Sequence, residues 1–514
     1  MSFDTAKMMQ AVSAGVGTMA APGIRGGPRQ LSPLAQLAAA QHLAPAFSPI
    51  VVAGFVRLAE FGLITLTGIA IYFGYVYPAY GHVFDWYYVA TAFGVAALSL
   101  VAFQAADIYQ IQAFRNPVGQ CARLTVAWSI VFLVIVALVF FAQLGGMYSR
   151  LWLTSYYGVG LFTLFGVRLV LYGIVRRWTH EGRLDRRAVV VGGGDPGEHL
   201  VTALDKQADS DVRLVGVFDD RGDDRAPTAC GGLQKLGSVD DLVEFARRTR
   251  VDLVIFSLPI SAEGRILQML KKLWVLPVDI RLSAHTNKLR FRPRTYSFVG
   301  KVPFLDVVDK PIADWDVVLK FVFDRVVGAL ALIALSPLLA ATALAVKLDS
   351  KGPILFKQKR YGFNNELIEV YKFRSMYADQ LDSTASRLVT KGDPRVTRVG
   401  RFIRKTSLDE LPQLFNVLRG ELSLVGPRPH ALQAKAADRL YDDVVDGYFA
   451  RHKVKPGITG WAQINGWRGE TDTSEKIQKR VEHDLYYIDN WSVLLDLYIL
   501  IKTPFALIGG ENAY

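Results

Sequence analysis

The chain contains four apolar stretches of about the length that crosses a bilayer, at residues 50–75, 86–106, 124–144 and 151–175. About 20 mainly apolar residues are enough for a transmembrane helix. The second connection and the segment after the fourth stretch are basic, whereas the first connection has no lysine or arginine and the third has only Arg150. By the positive-inside rule, this alternation predicts four transmembrane helices whose outer ends both face the cytoplasm.

Three charged residues lie inside these stretches. Arg57 and Glu60 are three positions apart in the first stretch, so they can neutralise one another on one helix face. Arg168 lies in the fourth stretch, where a charge can mark a pathway through the membrane. Pairing or snorkelling near the inner face is the favoured interpretation of Arg168.

A fifth apolar stretch runs for 21 uncharged residues between Arg325 and Lys347 and has Ser336-Pro337 at its midpoint. Proline lacks the backbone N–H and clashes with the preceding turn, so it should kink a helix there. Both flanks are basic, which places both ends on the cytoplasmic face. The pattern therefore predicts a re-entrant hairpin over residues 316–350, and an ordinary proline-kinked span is the alternative.

Residues 179–310 have the pattern of a Rossmann-like α/β domain. A short apolar strand ends at Val191 and is followed by Gly192, Gly194 and Gly197 in a G-x-G-x-x-G pattern. Asp219 follows the last glycine by 22 residues, where a Rossmann fold places its ribose-binding carboxylate. The domain lacks the Tyr-x-x-x-Lys pair of sugar-nucleotide epimerases, which favours a regulatory or structural role over a bound nucleotide.

Composition agrees with a membrane part joined to a soluble part. The chain has 514 residues, 51% of them hydrophobic, and a net charge of +12. In a membrane protein, such a charge suits anionic lipid or a phosphorylated substrate better than nucleic acid. Residues 1–45 are rich in alanine, glycine and proline and are predicted to form a disordered cytoplasmic tail. The two cysteines fit neither a metal site nor a disulfide framework.

An acidic pair, Asp409-Glu410, stands within a strongly basic stretch between residues 393 and 429. One interpretation is a capping box with Ser407 as the N-cap, although Pro412 would then lie inside the helix, where its missing N–H is costly. The other is a carboxylate nucleophile beside a metal-binding carboxylate, both kept ionised by neighbouring arginines. The residue pattern alone leaves both interpretations open.

Several short motifs occur in order along residues 320–514: Ser336-Pro337, Lys372–Met376 (KFRSM), Asp409–Gln413 (DELPQ), Gly426–Pro429 (GPRP) and Lys455–Gly460 (KPGITG). In these motifs the region resembles the catalytic domain of the large monotopic phosphoglycosyl transferases, which are bacterial polyprenyl-phosphate hexose-1-phosphate transferases. The upstream regions resemble the larger members of that family. One departure is Phe321, which stands where the family often has arginine in a Lys-Arg-x-x-Asp motif.

The resemblance implies a membrane protein of class α plus α/β. Its parts would be a four-helix transmembrane bundle (46–178), the Rossmann-like domain, and a monotopic catalytic domain (311–514) that contains the re-entrant hairpin. Asp409 would attack a UDP-hexose, release UMP and form an aspartyl-phosphosugar that undecaprenyl phosphate then accepts. Glu410 would bind Mg²⁺. The residues expected to contact substrate phosphates are Lys372, Arg374, Arg404 and Arg428.

The same resemblance places the enzyme in the bacterial inner membrane, among inner-membrane lipids, with the catalytic domain and both termini in the cytoplasm. Residues 467–473 and 512–514 look like members that use UDP-glucose, with UDP-galactose as the runner-up. The product would start an exopolysaccharide or capsule repeat unit. His430 is interpreted as a solvated or capping residue, and residues 485–507 as an interfacial amphipathic helix. No nucleic-acid partner is expected, and a homodimer is left open.

Two other functions compete with this one. The first is a membrane-anchored sugar-nucleotide oxidoreductase in which the loop at Gly192, Gly194 and Gly197 holds the cofactor. The second is a non-enzymatic membrane scaffold or export component.

Overall fold

The computed structural model describes residues 30–41, 44–80, 82–109, 117–207, 212–221, 229–283, 297–299, 302–380, 393–429, 435–436, 439–440, 448–467 and 473–508. Two compact units make up the chain. One is His42–Arg186, and the other joins Met1–Gln41 to Arg187–Tyr514.

The unit His42–Arg186 consists of long apolar helices. In chain order after a short helix α1 (Pro33–Ala40), they are α2 (Pro49–Ile71), α3 (Trp86–Ala105), α4 (Pro117–Phe141) and α5 (Arg150–His180). Each is long and apolar enough to cross a membrane, with α2 continuing through a π turn to Ala79. Close packing depends on glycine, because a Cβ at Gly160 would lie 2.6 Å from the Trp128 ring. These helices indicate a membrane protein.

An ion pair is buried inside this unit. Arg168 Nη2 lies 2.7 Å from Glu60 Oε1, and both side chains are fully buried. The Tyr109 hydroxyl donates to the other Glu60 oxygen at 2.8 Å. Arg57 instead lies over the Tyr109 ring, 4.9 Å from its centroid. The prediction that Arg57 neutralises Glu60 is therefore wrong, because Arg168 from another helix reaches the carboxylate.

Within the described residues, the Rossmann-like domain contains an eight-stranded sheet. Its strands are β1 (Arg186–Val191), β2 (Val212–Phe218), β3 (Ala229–Cys230), β4 (Leu233–Gly237), β5 (Leu253–Phe256), β6 (Asp279–Ser283), β7 (Ser297–Val299) and β8 (Val302–Val308), in the spatial order β3-β4-β2-β1-β5-β6-β8-β7. The pairs β2–β4, β1–β5 and β5–β6 are parallel, while β8 pairs antiparallel with β6 and β7. Helices α6 (Asp195–Asp205), α7 (Val239–Arg248) and α8 (Glu263–Leu273) connect the parallel strands. Completely buried strands such as β5 are typical of a sheet covered by helices.

Helix α1 packs against this sheet. Leu31 and Ala35 are buried in the core that contains the β1 and β5 side chains. Ser32 caps the helix by accepting from the Ala35 N–H at 3.2 Å, and its hydroxyl donates to the Leu236 carbonyl at 2.6 Å. The prediction of disorder over residues 1–45 is therefore wrong for residues 30–41, because their apolar face is buried. Residues 1–29 lie outside the described residues.

The C-terminal region begins with α9 (Asp314–Asp349), a helix of 36 residues with Pro337 inside it. The other elements are β9 (Leu355–Tyr361), β10 (Leu367–Phe373), α10 (Arg398–Lys405), α11 (Gln413–Arg419), β11 (Ser423–Val425), β12 (Lys435–Ala436), β13 (Arg439–Leu440), β14 (Gly457–Thr459), α12 (Trp461–Ile464), α13 (Ser474–Asp489) and α14 (Val493–Ile508). Strands β9 and β10 form an antiparallel hairpin, and β11 pairs parallel with β14.

Both halves of α9 contact later elements of the C-terminal region. Before the proline, Asp324 accepts from the Ser423 hydroxyl at 3.0 Å and the Leu424 N–H at 3.1 Å. After it, Val346 is buried against Phe373 and Ile403. Helix α9 runs without a break through Ser336-Pro337, so the chain reversal within residues 316–350 stays a prediction.

Candidate active site

The acidic pair lies on a short 3₁₀ turn, Leu408–Glu410, between α10 and α11. Ser407 precedes it with a left-handed backbone (φ +59°), and its side chain makes no capping hydrogen bond. Pro412 lies just before the first residue of α11, where its missing N–H costs nothing. The capping-box interpretation is therefore wrong. A 3₁₀ turn has about three residues per turn, so the two adjacent carboxylates point in different directions.

Glu410 is held between two cations from distant parts of the chain. Lys372 Nζ lies 2.8 Å from Glu410 Oε1, and Arg428 Nη2 lies 2.5 Å from the same oxygen. Burial by itself would raise the pKa of Glu410, but Arg428 and Lys372 outweigh it and hold the pKa well below its usual range. Lys372 comes from β10 and Arg428 from the loop after β11, so two of the four predicted phosphate-binding residues meet at the acidic pair.

Asp409 is in a different environment from its neighbour. Among the described residues, its carboxylate has no hydrogen-bond or ion-pair partner. Burial raises the pKa of Asp409, while the nearby charges of Lys372, Arg404 and Arg428 act in the opposite direction. Arg404, at the end of α10, thus lies close enough to act on Asp409 by charge. The result is one anchored and one unanchored carboxylate in a cationic site.

Arg360 is a further cation at this site. Its Nη1 donates to the Pro429 carbonyl at 2.6 Å, and Nη2 donates to Gln358 Oε1 at 2.8 Å. Burial and the charge of Arg428 lower the pKa of Arg360 to about 10. In the sequence, Arg360 is one of several basic residues in the flank that follows the fifth apolar stretch, and nothing there singles it out. The alternation of side chains along a strand could have separated Arg360 from its neighbours. Gln358 and Arg360 share one face of β9, whereas Lys357 and Lys359 are exposed on the other.

Arg374 does not take part in the site. It is 1% exposed, and its guanidinium donates to the backbone carbonyls of Val346, Ser350 and Lys351 at the end of α9. The last carbonyls of a helix lack partners within it, and a cation at the helix end can satisfy them. The assignment of Arg374 to phosphate binding is therefore corrected to a helix-capping role.

The glycine loop of the Rossmann-like domain is already filled by its own side chains. Gly192 and Gly194 have positive φ (+96° and +83°), and a Cβ at Gly197 would lie 2.9 Å from the Gly192 carbonyl oxygen. Asp219, the residue at the expected ribose position, accepts from the Gly193 N–H at 2.7 Å and is paired with Arg221, whose Nη2 also donates to the Gly193 carbonyl. The loop is closed by internal hydrogen bonds.

The acidic pair suits Mg²⁺ by its chemistry. Magnesium is usually held by one or two carboxylates together with substrate phosphates rather than by an all-protein cage. Within the described ranges, no group of three or more histidine, cysteine or acidic side chains is placed to hold a metal. Of the remaining candidates, Ser336 donates to the Ile333 carbonyl at 2.8 Å on α9, and His430 lies outside the described residues.

Two family models match the chain. The model described as bacterial sugar transferase matches residues 315–510, and the one described as CoA-binding domain matches residues 104–284. An undecaprenyl-phosphate glucose phosphotransferase of Komagataeibacter xylinus is 41% identical over 372 residues, which are 71% of this chain and 66% of that protein. Two proteins named UDP-glucose:undecaprenyl-phosphate glucose-1-phosphate transferase are also similar. The one from Xanthomonas campestris pv. campestris is 34% identical (81% of this chain, 86% of that protein), and the one from Escherichia coli K12 is 36% identical (82% and 89%).

Proposed function

The chain belongs to the bacterial sugar transferase family, and we propose that it transfers glucose-1-phosphate from UDP-glucose to undecaprenyl phosphate. The matched region contains the acidic pair and its cations. Relatives that share most of its length have this activity in their names. The observation that carries the mechanism is the unanchored Asp409 carboxylate beside Glu410, which Lys372 and Arg428 hold in place.

Asp409 is the nucleophile in this proposal. One of its oxygens forms a bond to the sugar-bearing phosphorus of UDP-glucose, and the bond from that phosphorus to the bridging oxygen breaks, which releases UMP. An oxygen of undecaprenyl phosphate then attacks the same phosphorus. It displaces Asp409 as a free carboxylate and gives undecaprenyl-diphosphate glucose. Lys372, Arg404, Arg428 and Arg360 supply the positive charge that phosphoryl transfer requires.

Glu410 is the residue we assign to Mg²⁺, with Asp409 as its neighbour. The bound ion would neutralise charge on the substrate diphosphate. Lys372 and Arg428 keep the Glu410 carboxylate ionised, and hence able to bind a cation, at neutral pH.

A cytoplasmic catalytic domain on the inner membrane completes the proposal, with α2 to α5 as a four-helix bundle. Helix α1 and the Rossmann-like sheet belong to one compact unit, although four membrane-length helices separate them in the chain. An even number of spans returns the chain to the side from which it left. By the positive-inside rule, the basic flanks favour the cytoplasm as that side. Helix α9 is re-entrant in this arrangement, because both of its halves contact the same domain.

The test is UMP release by the purified full-length protein in lipid, with UDP-glucose, UDP-galactose and undecaprenyl phosphate. We expect release from UDP-glucose that requires Mg²⁺ and is abolished in Asp409→Asn. A matched control is Glu482→Gln, which changes an exposed acid on α13 that is paired with Lys479 and Gln478 of the same helix. Transfer that persists in Asp409→Asn would exclude Asp409 as nucleophile. NADH turnover that is lost in Gly194→Val would support the oxidoreductase alternative.

A further inference from the structure

A charged segment lies buried between the Rossmann-like domain and the candidate active site. It is the 3₁₀ segment Tyr448–Lys453, in which Arg451, His452 and Lys453 are 1%, 3% and 8% exposed. Three consecutive basic residues are rarely buried without a specific reason. The contacts of this segment run in two directions, one toward Arg428 and one toward the Rossmann-like domain.

On the active-site side, the segment holds the backbone that carries Arg428. Arg451 Nη2 donates to the Arg428 carbonyl at 2.9 Å, and Arg451 is itself fixed by Asp484 at 2.5 Å. The Pro429 carbonyl is held from another direction by Arg360. Guanidinium groups therefore bind two consecutive carbonyls of the GPRP loop, and this fixes the position from which Arg428 reaches Glu410.

On the other side, the Rossmann-like domain packs on the same segment. The Lys453 ammonium lies 3.9 Å from the centre of the Trp274 ring, just after α8. The Arg247 guanidinium, in the last turn of α7, lies 5.5 Å from the centre of the Phe449 ring. Both distances are within the range of cation–π attraction.

The domain also reaches the turn between β9 and β10, the strands that supply Arg360 and Lys372. Asn364 Nδ2 in that turn donates to the Ala246 carbonyl of α7 at 3.1 Å. The neighbouring Asn365 Oδ1 is hydrogen-bonded to His452 Nδ1 of the buried segment. Thus α7 contacts both parts of the chain that hold the GPRP loop.

We propose that docking of the Rossmann-like domain on Tyr448–Lys453 positions Arg428, so that this domain sets the rate of sugar-phosphate transfer. Trp274 and Arg247 are positioning residues, because neither belongs to the group of side chains around Asp409 and Glu410. The inference rests on the proposed transferase function. It gives the Rossmann-like domain a role that needs no ligand in its closed glycine loop.

The test compares kcat and KM for UDP-glucose in the full-length chain, with UMP release as the readout. The double variant Trp274→Leu/Arg247→Met removes both cation–π contacts but keeps apolar bulk. We expect kcat to fall about tenfold with KM nearly unchanged, because Arg428 is displaced rather than lost. The single variant Trp274→Phe keeps an aromatic ring under Lys453 and leaves Arg247 unchanged, so it should retain most of the wild-type kcat. Arg248→Met is the matched control, because Arg248 is on the same helix turn but pairs with Glu244 and is partly exposed.

A double-mutant cycle with Arg428→Lys separates positioning from general damage. If docking acts through Arg428, the double variant should cause no further loss in the Arg428→Lys background. An equal loss in both backgrounds would overturn the proposal, and so would a wild-type kcat in the double variant. Thermal unfolding of each variant shows whether a loss of rate comes from loss of the folded protein. If the double variant unfolds at the assay temperature, the single variant Trp274→Leu replaces it in the same cycle. Absence of UMP release by the wild type would instead refute the proposed function.

Discussion

Gly457→Ala should disable the candidate active site without touching any of its charged groups. The KPGITG motif contains Gly457 at the start of β14, where a Cβ would lie 2.1 Å from the Gly426 nitrogen and 2.6 Å from the Val425 carbonyl carbon. Ordinary contact begins near 3.4 Å. The two backbones must therefore separate by about 1.3 Å, and no flexible side chain can move aside to relieve the clash.

That separation would break the pairing between β11 and β14. The pairing includes three hydrogen bonds of 2.9 Å, which run from Ser423 N to Pro456 O, from Gly426 N to Thr459 O, and from Gly457 N to Pro427 O. A bond lengthened by about 1.3 Å no longer counts as a hydrogen bond. At about 1 kcal/mol each, the loss is roughly 3 kcal/mol, and the GPRP loop moves by about 1 Å. A misplacement of that size can reduce kcat by about 100-fold.

The assay measures UMP release and the thermal midpoint for Gly457→Ala and for Gly264→Ala as control. Gly264 lies in α8 with nothing within 4 Å of an added Cβ, so its substitution should be neutral or slightly stabilising. A wild-type kcat in Gly457→Ala would refute the reasoning. It would show that the close approach of β14 to the GPRP loop does not fix Arg428.

Three further predictions concern individual charges. Arg374→Met should lower the free energy of unfolding by about 1–3 kcal/mol in thermal unfolding, because the carbonyls at the end of α9 lose their partner. The KM for UDP-glucose should stay unchanged. A raised KM would instead support a role of Arg374 in substrate binding. Arg428→Ala should destabilise the protein above pH 4.5 and progressively less below it, because the depressed pKa of Glu410 gives stability that is present at high pH and lost on acidification. Unfolding curves of the wild type and the variant at pH 7 and pH 4 test this. An equal loss of unfolding free energy at both pH values would contradict it. Glu60→Gln should lower the free energy of unfolding in lipid by about 3–5 kcal/mol, because it leaves Arg168 buried without its counter-ion. The double variant Glu60→Leu/Arg168→Met should recover most of that loss. A double variant no more stable than Glu60→Gln would contradict the pairing.

The sequence was sufficient where a feature depends on local pattern. Apolar length predicted the helices α2 to α5 and α9, and the strand-glycine-helix order predicted the Rossmann-like sheet. It was insufficient where contacts join distant residues. Arg168 could be assigned no partner, because helix periodicity does not tell which spans are neighbours. Arg374 and Lys372 are two residues apart on or beside β10 and looked equivalent, but Arg374 binds carbonyls at the end of α9 whereas Lys372 binds Glu410.

Neighbouring acids with the same charge can have different roles only if their environments differ. The sequence could not decide between Asp409 and Glu410 on physical grounds, because the arginines nearby in the chain flank both. The structure separates them, since Lys372 and Arg428 bind Glu410 directly and act on Asp409 only by charge. Both ion pairs of Glu410 fall on Oε1, and Arg428 Nη1 lies 3.4 Å from Oε2, so cations hold this side chain in place, whereas the Asp409 carboxylate has no such contact among the described residues. The asymmetry therefore favours Asp409 as the attacking group and Glu410 as the anchor. The same argument predicts that exchanging the two, as Asp409→Glu/Glu410→Asp, abolishes UMP release although both carboxylates are kept.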